Sequence, residues 1–187
     1  MITALWLLAV QGIIGAFDTL YYHEWRARLP GRVPGTAAEL KLHAERDFLY
    51  AILFGTLPWL AWQGLWVLVL AAVLVTEIVL TLADFVVEIR VRKPLGDVYG
   101  GERVTHAVMG ILYGAMVAHL LPVLWHWWSL PTAFAPTVAV PELLGWGLAI
   151  MATGVFLSGV RDLYAALGLP HGGWPWGVGL PQVRGQS

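Results

Sequence analysis

One pattern of charged residues, histidine and tyrosine occurs twice in this chain and limits how it can fold. The first copy reads Glu24-x-Arg26-x-Arg28-x-Pro30, then Glu39-x-x-x-His43 and Tyr50, and the second reads Glu88-x-Arg90-x-Arg92-x-Pro94, then Glu102-x-x-x-His106 and Tyr113. The copies share residue order and type, and the gap between the two glutamates differs by only one residue. This indicates an internal duplication, so the two halves of the chain are predicted to have the same architecture.

Long apolar runs place this repeat in a membrane. Of the 187 residues, 58% are hydrophobic and only 12% are charged, which is typical of polytopic membrane proteins. Runs that approach the length needed to cross a bilayer, about 20 residues each, lie at 2–22, about 48–62, 65–85, 107–125 and 143–160. Pro58 and the pair Gln63-Gly64 divide the run between 48 and 85. The sequence therefore predicts an all-α protein with five transmembrane helices.

The predicted transmembrane domain covers residues 1–167, with repeat one at about 1–62, repeat two at about 64–128 and the fifth helix at about 141–167. Each repeat is expected to form a helical hairpin, and the two hairpins together form a four-helix bundle with the fifth helix packed outside it. The second helix is predicted to begin before residue 48, because Thr36-x-x-Glu39 is typical of a capping box. Residues 168–187 are predicted to be an irregular cytoplasmic or interfacial tail.

The cations predict the orientation. All eleven Lys and Arg residues lie at one end of the five-span arrangement, and the connections at 63–64 and 128–141 carry none. By the positive-inside rule, the charged end and the C-terminus are cytoplasmic and the N-terminus is outside. The segment 1–22 lacks a basic start and a small-residue cleavage site, so we interpret it as a retained helix. We expect an integral protein of the plasma membrane, in a bacterium the inner membrane.

Composition excludes several kinds of partner and site. The net charge of −1 gives no ground for a nucleic-acid partner. The chain contains no cysteine, which excludes disulfides, thiolate metal ligands and iron–sulfur clusters. Any metal site must therefore use nitrogen and oxygen ligands.

The repeat predicts such a site. Residues four apart share a helix face, so Glu39 and His43 point the same way, as do Glu102 and His106. The symmetry of the hairpins turns both faces toward a common axis, where one further glutamate arrives from each partner helix. The predicted metal ligands are Glu24, Glu39, His43, Glu88, Glu102 and His106.

This set resembles, in motif only, the ferritin-like di-iron or di-manganese four-helix bundles, in which two helices give a Glu and two give a Glu-x-x-His pair. Here the spacing is Glu-x-x-x-His, one residue longer, and the bundle lies in a membrane. The resemblance implies Glu24 and Glu88 as the lone carboxylates. It also implies two Fe ions, with Mn or Zn as alternatives, because imidazole and carboxylate without thiolate suit these metals.

Further residues extend the predicted site. Asp84 lies one turn before Glu88, and Asp18 is its approximate counterpart in the first helix. Together with His23, these aspartates are predicted to be additional ligands or partners that orient a histidine.

Glu77 lies deeper in an apolar span, where an ionisable group is a functional candidate by default. We interpret it as a ligand, a proton relay or a contact for a polar substrate group. Tyr50 and Tyr113 are the other catalytic candidates, and a packing role for both tyrosines stays open.

The sequence favours a membrane-bound non-haem di-metal oxidoreductase that acts with O2 on a membrane lipid or lipid-soluble small molecule at the cytoplasmic face. A redox partner and an oligomer are compatible with this function. One alternative is a cytochrome-b-like electron-transfer subunit with haem held by His43 and His106. Another is a non-catalytic carrier or accessory subunit. Helix capping and pairing with Arg also explain the glutamates, but capping does not explain a histidine at the same offset twice.

Overall fold

The computed structural model describes residues 1–137 and 139–176. Its helices are α1 (Ile2–Phe17), α2 (Ala37–Thr56), α3 (Trp66–Arg92), α4 (Gly100–Trp128) and α5 (Glu142–Ala166). The prediction of an all-α fold is confirmed, with two short strands as an addition to it. Of the predicted tail, residues 177–187 lie outside the described part of the chain.

Four of the five helices are long and apolar enough to cross a membrane. They are α1 with its continuation to Arg32, α3 with its continuation to Leu95, α4 and α5. Within the described residues α2 is the exception, because its first half carries Glu39, Lys41, His43, Glu45, Arg46 and Asp47. The chain is therefore consistent with an integral membrane protein with four candidate spans, and the second half of α2, residues 48–56, carries no charged residue.

The beginning of α2 differs in its contacts from the predicted capping box. The helix starts directly after Thr36, but the Thr36 hydroxyl donates to the Leu29 carbonyl oxygen at 2.7 Å instead of capping the helix. The Glu39 carboxylate accepts a hydrogen bond from Arg92 at 2.7 Å. The capping-box prediction was wrong, because tertiary contacts use both side chains that the motif would need.

Beyond α1 the chain continues as a π-helical segment, Asp18–Ala27, which ends at Arg28 in the left-handed conformation with φ of 55°. A single 3₁₀ turn, Leu29–Arg32, follows. The wider turn of a π-helix pairs residues five apart, and such segments are frequent at functional sites. Here it brings the Asp18 Oδ2 atom within 3.3 Å of the His23 Nε2 atom. The sequence predicts that the first helix ends at about residue 22 and that a basic loop follows.

The strands β1 (Leu60–Trp62) and β2 (Phe134–Pro136) pair antiparallel. They join the α2–α3 connection to the α4–α5 connection. Gly64 follows β1 with φ of 59°, and a Cβ atom there would lie 2.5 Å from the Thr132 Oγ1 atom. Only glycine fits this close approach, so the predicted division of the long apolar run at Gly64 has a steric basis.

The helices pack most extensively in the pairs α2 with α5, α1 with α4, and α2 with α3. Since α5 also contacts α1, it is an integral part of the bundle instead of the external helix that the sequence predicts. The main apolar core includes Leu5, Leu8, Leu53, Leu57, Leu70, Met116, Leu120 and Leu148.

A second, smaller apolar cluster, here the apolar cap, consists of Ala27, Leu29, Leu40, Ala165 and Ala166. Along α1 with its π-helical continuation, and along α5, the buried ionisable side chains lie between the main core and this cap. The candidate site is therefore enclosed by apolar side chains on two sides.

Candidate metal centre

Three imidazoles and six carboxylates meet in one buried group between the main core and the apolar cap. This histidine cluster consists of His23, His43, His106, Asp18, Glu39, Asp84, Glu88, Glu102 and Asp162, all of them buried. The π-helical segment after α1 and each of the helices α2 to α5 contribute at least one member. Five separate segments of the chain thus converge on one site.

One half of the cluster surrounds Asp18. Ligand atoms of Asp18, His23 and His106 all lie within 4.8 Å of one another. The Asp18 Oδ2 atom is 3.1 Å from the His106 Nε2 atom and 3.3 Å from the His23 Nε2 atom. Carboxylate oxygens of Glu102 and Glu88 approach the same two rings at 3.2 and 3.7 Å. This convergence of nitrogen and oxygen atoms is compatible with the binding of a single cation.

The other half surrounds His43. Its Nε2 atom is 3.4 Å from an Asp84 oxygen and 3.9 Å from a Glu39 oxygen, and its Nδ1 atom is 3.8 Å from an Asp162 oxygen. The His43 ring stacks on the His23 ring with 4.5 Å between centroids and 9° between planes. The two halves are therefore contiguous.

Two arginines neutralise part of the negative charge. The Arg92 guanidinium, 1% exposed, donates to Glu39 at 2.7 Å and to Glu102 at 2.6 Å. The Arg46 guanidinium donates to Asp84 at 2.9 Å. With neutral imidazoles, the six carboxylates outnumber the three guanidinium groups that contact them, since Arg161 also lies 3.7 Å from Asp162. Because uncompensated buried charge is strongly destabilising, this site needs further positive charge, from protons on its histidines and carboxylates or from metal ions.

Several cluster atoms are buried without a hydrogen-bond partner among the described residues. They are Asp18 Oδ1, Glu39 Oε2, Asp84 Oδ1 and His106 Nδ1. Most buried polar atoms in proteins have such a partner. Imidazole nitrogen and carboxylate oxygen are the ligands of iron, manganese and zinc sites. The residues present therefore fit a transition-metal centre by donor type and by their unused bonding capacity.

Glu77 anchors a line of polar side chains within the apolar part of the bundle. Its Oε1 atom accepts hydrogen bonds from the Tyr50 hydroxyl at 2.8 Å and from the Thr81 hydroxyl at 2.7 Å. The Arg46 guanidinium lies 3.6 Å from the same oxygen. The Tyr50 oxygen in turn accepts a hydrogen bond from the Gln11 amide.

This polar line reaches the histidine cluster. Arg46, which contacts Glu77, also donates to Asp84, and Asp84 lies beside His43. Tyr113 lies beside this line: its hydroxyl donates to the Leu74 carbonyl oxygen at 3.0 Å, and its ring contacts the Tyr50 ring edge-on with 6.2 Å between centroids. The two tyrosines of the repeat therefore differ in their hydrogen bonds, and of the two it is Tyr50 that donates to Glu77 at 2.8 Å.

The structure brings together eight of the residues predicted as ligands or their partners: Asp18, His23, Glu39, His43, Asp84, Glu88, Glu102 and His106. Glu24 lies at the edge of the cluster: both of its oxygens contact the Arg161 guanidinium, which also lies 3.7 Å from Asp162, and one accepts a hydrogen bond from Trp176 at 3.0 Å. A ligand role for Glu24 stays a prediction.

Two members of the site were missed by sequence reasoning. Asp162 lies within the predicted fifth helix, at about 141–167, but just beyond the apolar run that ends at 160. Arg92 is buried and bridges two carboxylates, whereas its repeat counterpart Arg28 is exposed. An ionisable residue in the last turns of an apolar helix was the signal available for Asp162.

A cavity of about 380 Å³ adjoins the cluster. The three histidines lie at one end of it, and Gln11 lies farther along α1. Comparisons of this chain with protein-family models, curated proteins and solved structures give no match. The function of the protein must therefore be inferred from the geometry and the donor atoms of the site.

Proposed function

We propose that the histidine cluster binds two divalent transition-metal ions, iron in the first place, and that the protein is a membrane-embedded non-haem oxidoreductase. The observation that carries this proposal is the convergence of Asp18, His23 and His106, whose ligand atoms lie within 4.8 Å of one another in a buried site. Divalent ions would offset the negative charge that the arginines leave on the cluster. Metal pairs in enzymes lie about 3.5–4 Å apart, and the contiguous halves of the cluster are suited to such a pair.

The contacts suggest how the ligands divide. Asp18, His23 and His106 would hold one ion, with Glu88 and Glu102 beside them. The second ion would be held by His43 and its neighbours Asp84, Glu39 and Asp162. The set resembles the ferritin-like sites in its donor types, but it would contain three histidines and would draw on α5 as well.

Bound iron would supply the ability to activate O2. Reduction of one O2 to two waters takes four electrons and four protons. Dehydrogenation of two substrate molecules supplies all of them, so this reaction needs no outside reductant. A hydroxylation needs two electrons from a redox partner. The apolar cap would keep bulk water from the site, and the polar line from Glu77 through Arg46 to Asp84 would hold protons near it.

The same contacts support the tandem arrangement. His43 in α2 meets Asp84 from α3, and His106 in α4 meets Asp18 from the continuation of α1. Each repeat thus gives a histidine to an aspartate of the other repeat, as a pseudo-twofold axis requires. We place the cluster at the cytoplasmic face of a plasma membrane because the cations gather at that end. In this arrangement α2 completes a five-helix bundle.

A haem held by His43 and His106 is the alternative that shares these histidines. Both Nε2 atoms face aspartate oxygens, at 3.4 and 3.1 Å. Such surroundings suit a metal–carboxylate site, because the axial nitrogens of a haem need unobstructed access to the iron. An absorption spectrum with a Soret band would favour haem.

Metal analysis tests the proposal. We expect the purified protein, loaded with iron(II) under anaerobic conditions and freed of excess metal, to contain about two ions per chain. His106→Ala should lower this content to one ion or fewer. The matched control is His119→Ala, on the same helix but exposed, which should keep the wild-type content. A wild-type content below one ion, unchanged in His106→Ala, would refute the metal centre.

Oxygen uptake separates metal binding from oxidoreductase chemistry. Iron(II)-loaded protein should consume O2 at an oxygen electrode, whereas zinc-loaded protein and His106→Ala should not, because zinc has no accessible redox change. Metal binding without O2 uptake would leave the metal centre in place and refute the oxidoreductase.

A further inference from the structure

The cavity beside the histidine cluster follows α1 into the apolar part of the bundle. Its lining includes Asp18 and the three histidines at one end, and Gln11, Phe54 and Met151 at the other. Gln11 lies seven residues before Asp18, which corresponds to about 10 Å of helix rise. The volume of about 380 Å³ is within the range of small-molecule sites. The cavity therefore has a polar end at the proposed metals and a largely apolar end deeper in the bundle.

Small residues line the cavity where α1 faces α5. Gly12 and Gly15 on α1 and Gly154 on α5 contribute no side chains to this wall. Gly154 is exposed, and a Cβ atom there would meet no other atom within 4 Å. Both helices are candidate membrane spans by length and composition, so we expect this gap to face lipid. A compound dissolved in the membrane can approach the cavity at this position.

The hydrogen bonds of Tyr50 determine how the Gln11 amide is oriented. A tyrosine hydroxyl has one proton, and that of Tyr50 is donated to the Glu77 carboxylate at 2.8 Å. The Tyr50 oxygen can therefore only accept from Gln11, so the amide nitrogen of Gln11 faces Tyr50. The Gln11 carbonyl oxygen is left buried, in a residue 4% exposed, without a hydrogen-bond partner among the described residues.

We propose that this cavity binds a lipid-soluble alcohol or phenol whose hydroxyl donates a hydrogen bond to the Gln11 carbonyl oxygen. The body of the molecule lies between Gln11 and the histidine cluster, and its apolar part leaves between α1 and α5 beside Gly154. A ketone, ester or plain hydrocarbon offers no proton to that oxygen and would leave it unsatisfied. The lipid-soluble alcohol or phenol would be the substrate of the proposed oxidoreductase. Its conversion therefore rests on the proposed function, whereas its binding to the cavity does not.

Binding to the full chain in lipid nanodiscs tests the proposal. The probes are two matched pairs, 4-nonylphenol with nonylbenzene and 1-tetradecanol with tetradecane, each compared at equal mole fraction in the membrane. Bound probe is measured by mass spectrometry after subtraction of protein-free nanodiscs. We expect saturable binding in which the hydroxylated member of at least one pair binds roughly two- to tenfold more tightly, as one hydrogen bond allows. The pair that shows this preference distinguishes a phenol from an aliphatic alcohol.

Variants locate the binding. Gln11→Leu should abolish the preference for the hydroxylated probe while hydrocarbon binding persists. Gly154→Leu should weaken binding of both members, because its side chain fills the gap between α1 and α5. Gly147→Leu is the control on the same helix, at a position that also has open space but does not line the cavity. If Gln11→Leu fails to fold, the proposal is still tested by the hydroxyl preference of the wild-type protein and by probe binding to the two glycine variants.

Absence of saturable binding, or equal binding of both members of both pairs, overturns the proposal. The same binding measurements on chelator-treated protein test the ligand site independently of the metal centre. Hydroxyl-dependent binding in a protein that takes up no metal would refute the oxidoreductase and retain this ligand class. Two metal ions per chain without a preference for the hydroxylated probe would retain the metal centre and refute this ligand class.

Discussion

Arg92→Met tests whether Arg92 is needed to neutralise the histidine cluster. The Arg92 side chain is 1% exposed and donates to Glu39 and Glu102 at 2.7 and 2.6 Å. Methionine preserves much of the side-chain volume but removes the charge, so both carboxylates stay buried without their counter-ion. Breaking a buried ion pair in this way costs about 3–5 kcal/mol, a large fraction of the roughly 5–15 kcal/mol by which proteins are stable.

The repeat provides a matched control. Arg28 occupies the corresponding position of the first copy, but it is exposed and lies over the Trp176 ring at 4.8 Å. A cation–π contact at an exposed site contributes about 0.5–1 kcal/mol, so Arg28→Met should have only this small effect. The assay is unfolding of purified protein in mixed micelles by titration with a denaturing detergent, followed by far-UV circular dichroism.

A second substitution separates charge from packing. In the Arg92→Met background, Glu102→Gln removes one of the two carboxylates that lost their counter-ion, so part of the lost stability should return. The same change in the wild-type background should destabilise, because Arg92 then loses a charged partner. The reasoning would be refuted if Arg92→Met lowered the free energy of unfolding no more than Arg28→Met, or if Glu102→Gln were equally destabilising in both backgrounds.

Two further substitutions test single contacts by the same unfolding assay. Tyr50→Phe removes a hydrogen bond to a buried carboxylate and should lower the free energy of unfolding by about 1.5–3 kcal/mol. Tyr113→Phe removes a hydrogen bond to a neutral carbonyl oxygen and should lower it by about 0.5–1.5 kcal/mol. Equal losses of stability would contradict the assigned network. Gly64→Ala should cost about 1–3 kcal/mol, because the new Cβ atom would lie 2.5 Å from Thr132 Oγ1 at a positive φ. Gly110→Ala, in an open helical position, should be neutral or stabilising, and a similar neutrality at Gly64 would contradict the steric argument.

Local patterns predicted the helices and much of the site. The apolar runs indicated where α1, α3, α4 and α5 lie, because the membrane demands long uninterrupted apolar segments. The four-residue spacing correctly placed Glu39 with His43 on one face of α2, where both are buried. The same spacing placed Glu102 with His106 on α4. These are properties of a single helix, which sequence periodicity encodes directly.

Contacts between distant segments could not be predicted in this way. His106 meets Asp18 across 88 residues, and His23 approaches the same Asp18 oxygen through the π-helical turn after α1, for which no sequence pattern was recognised. Asp162 joins the cluster because α5 packs on α2, and this packing depends on the shapes of both helices. Arg92 and Arg28 have the same position in the repeat, yet only the tertiary fold distinguishes the buried bridge from the exposed residue.

The apolar cap has a consequence for how the proposed metals would reach the cluster. An ion coming from the aqueous side would have to shed most of its hydration shell before passing Leu29, Leu40 and Ala165. Exchange through the cap would require the 3₁₀ turn, α2 and the end of α5 to separate, so its rate by this route would follow local unfolding instead of affinity. If ions exchange by this route, a chelator added to the folded protein would remove them slowly even from a weak site.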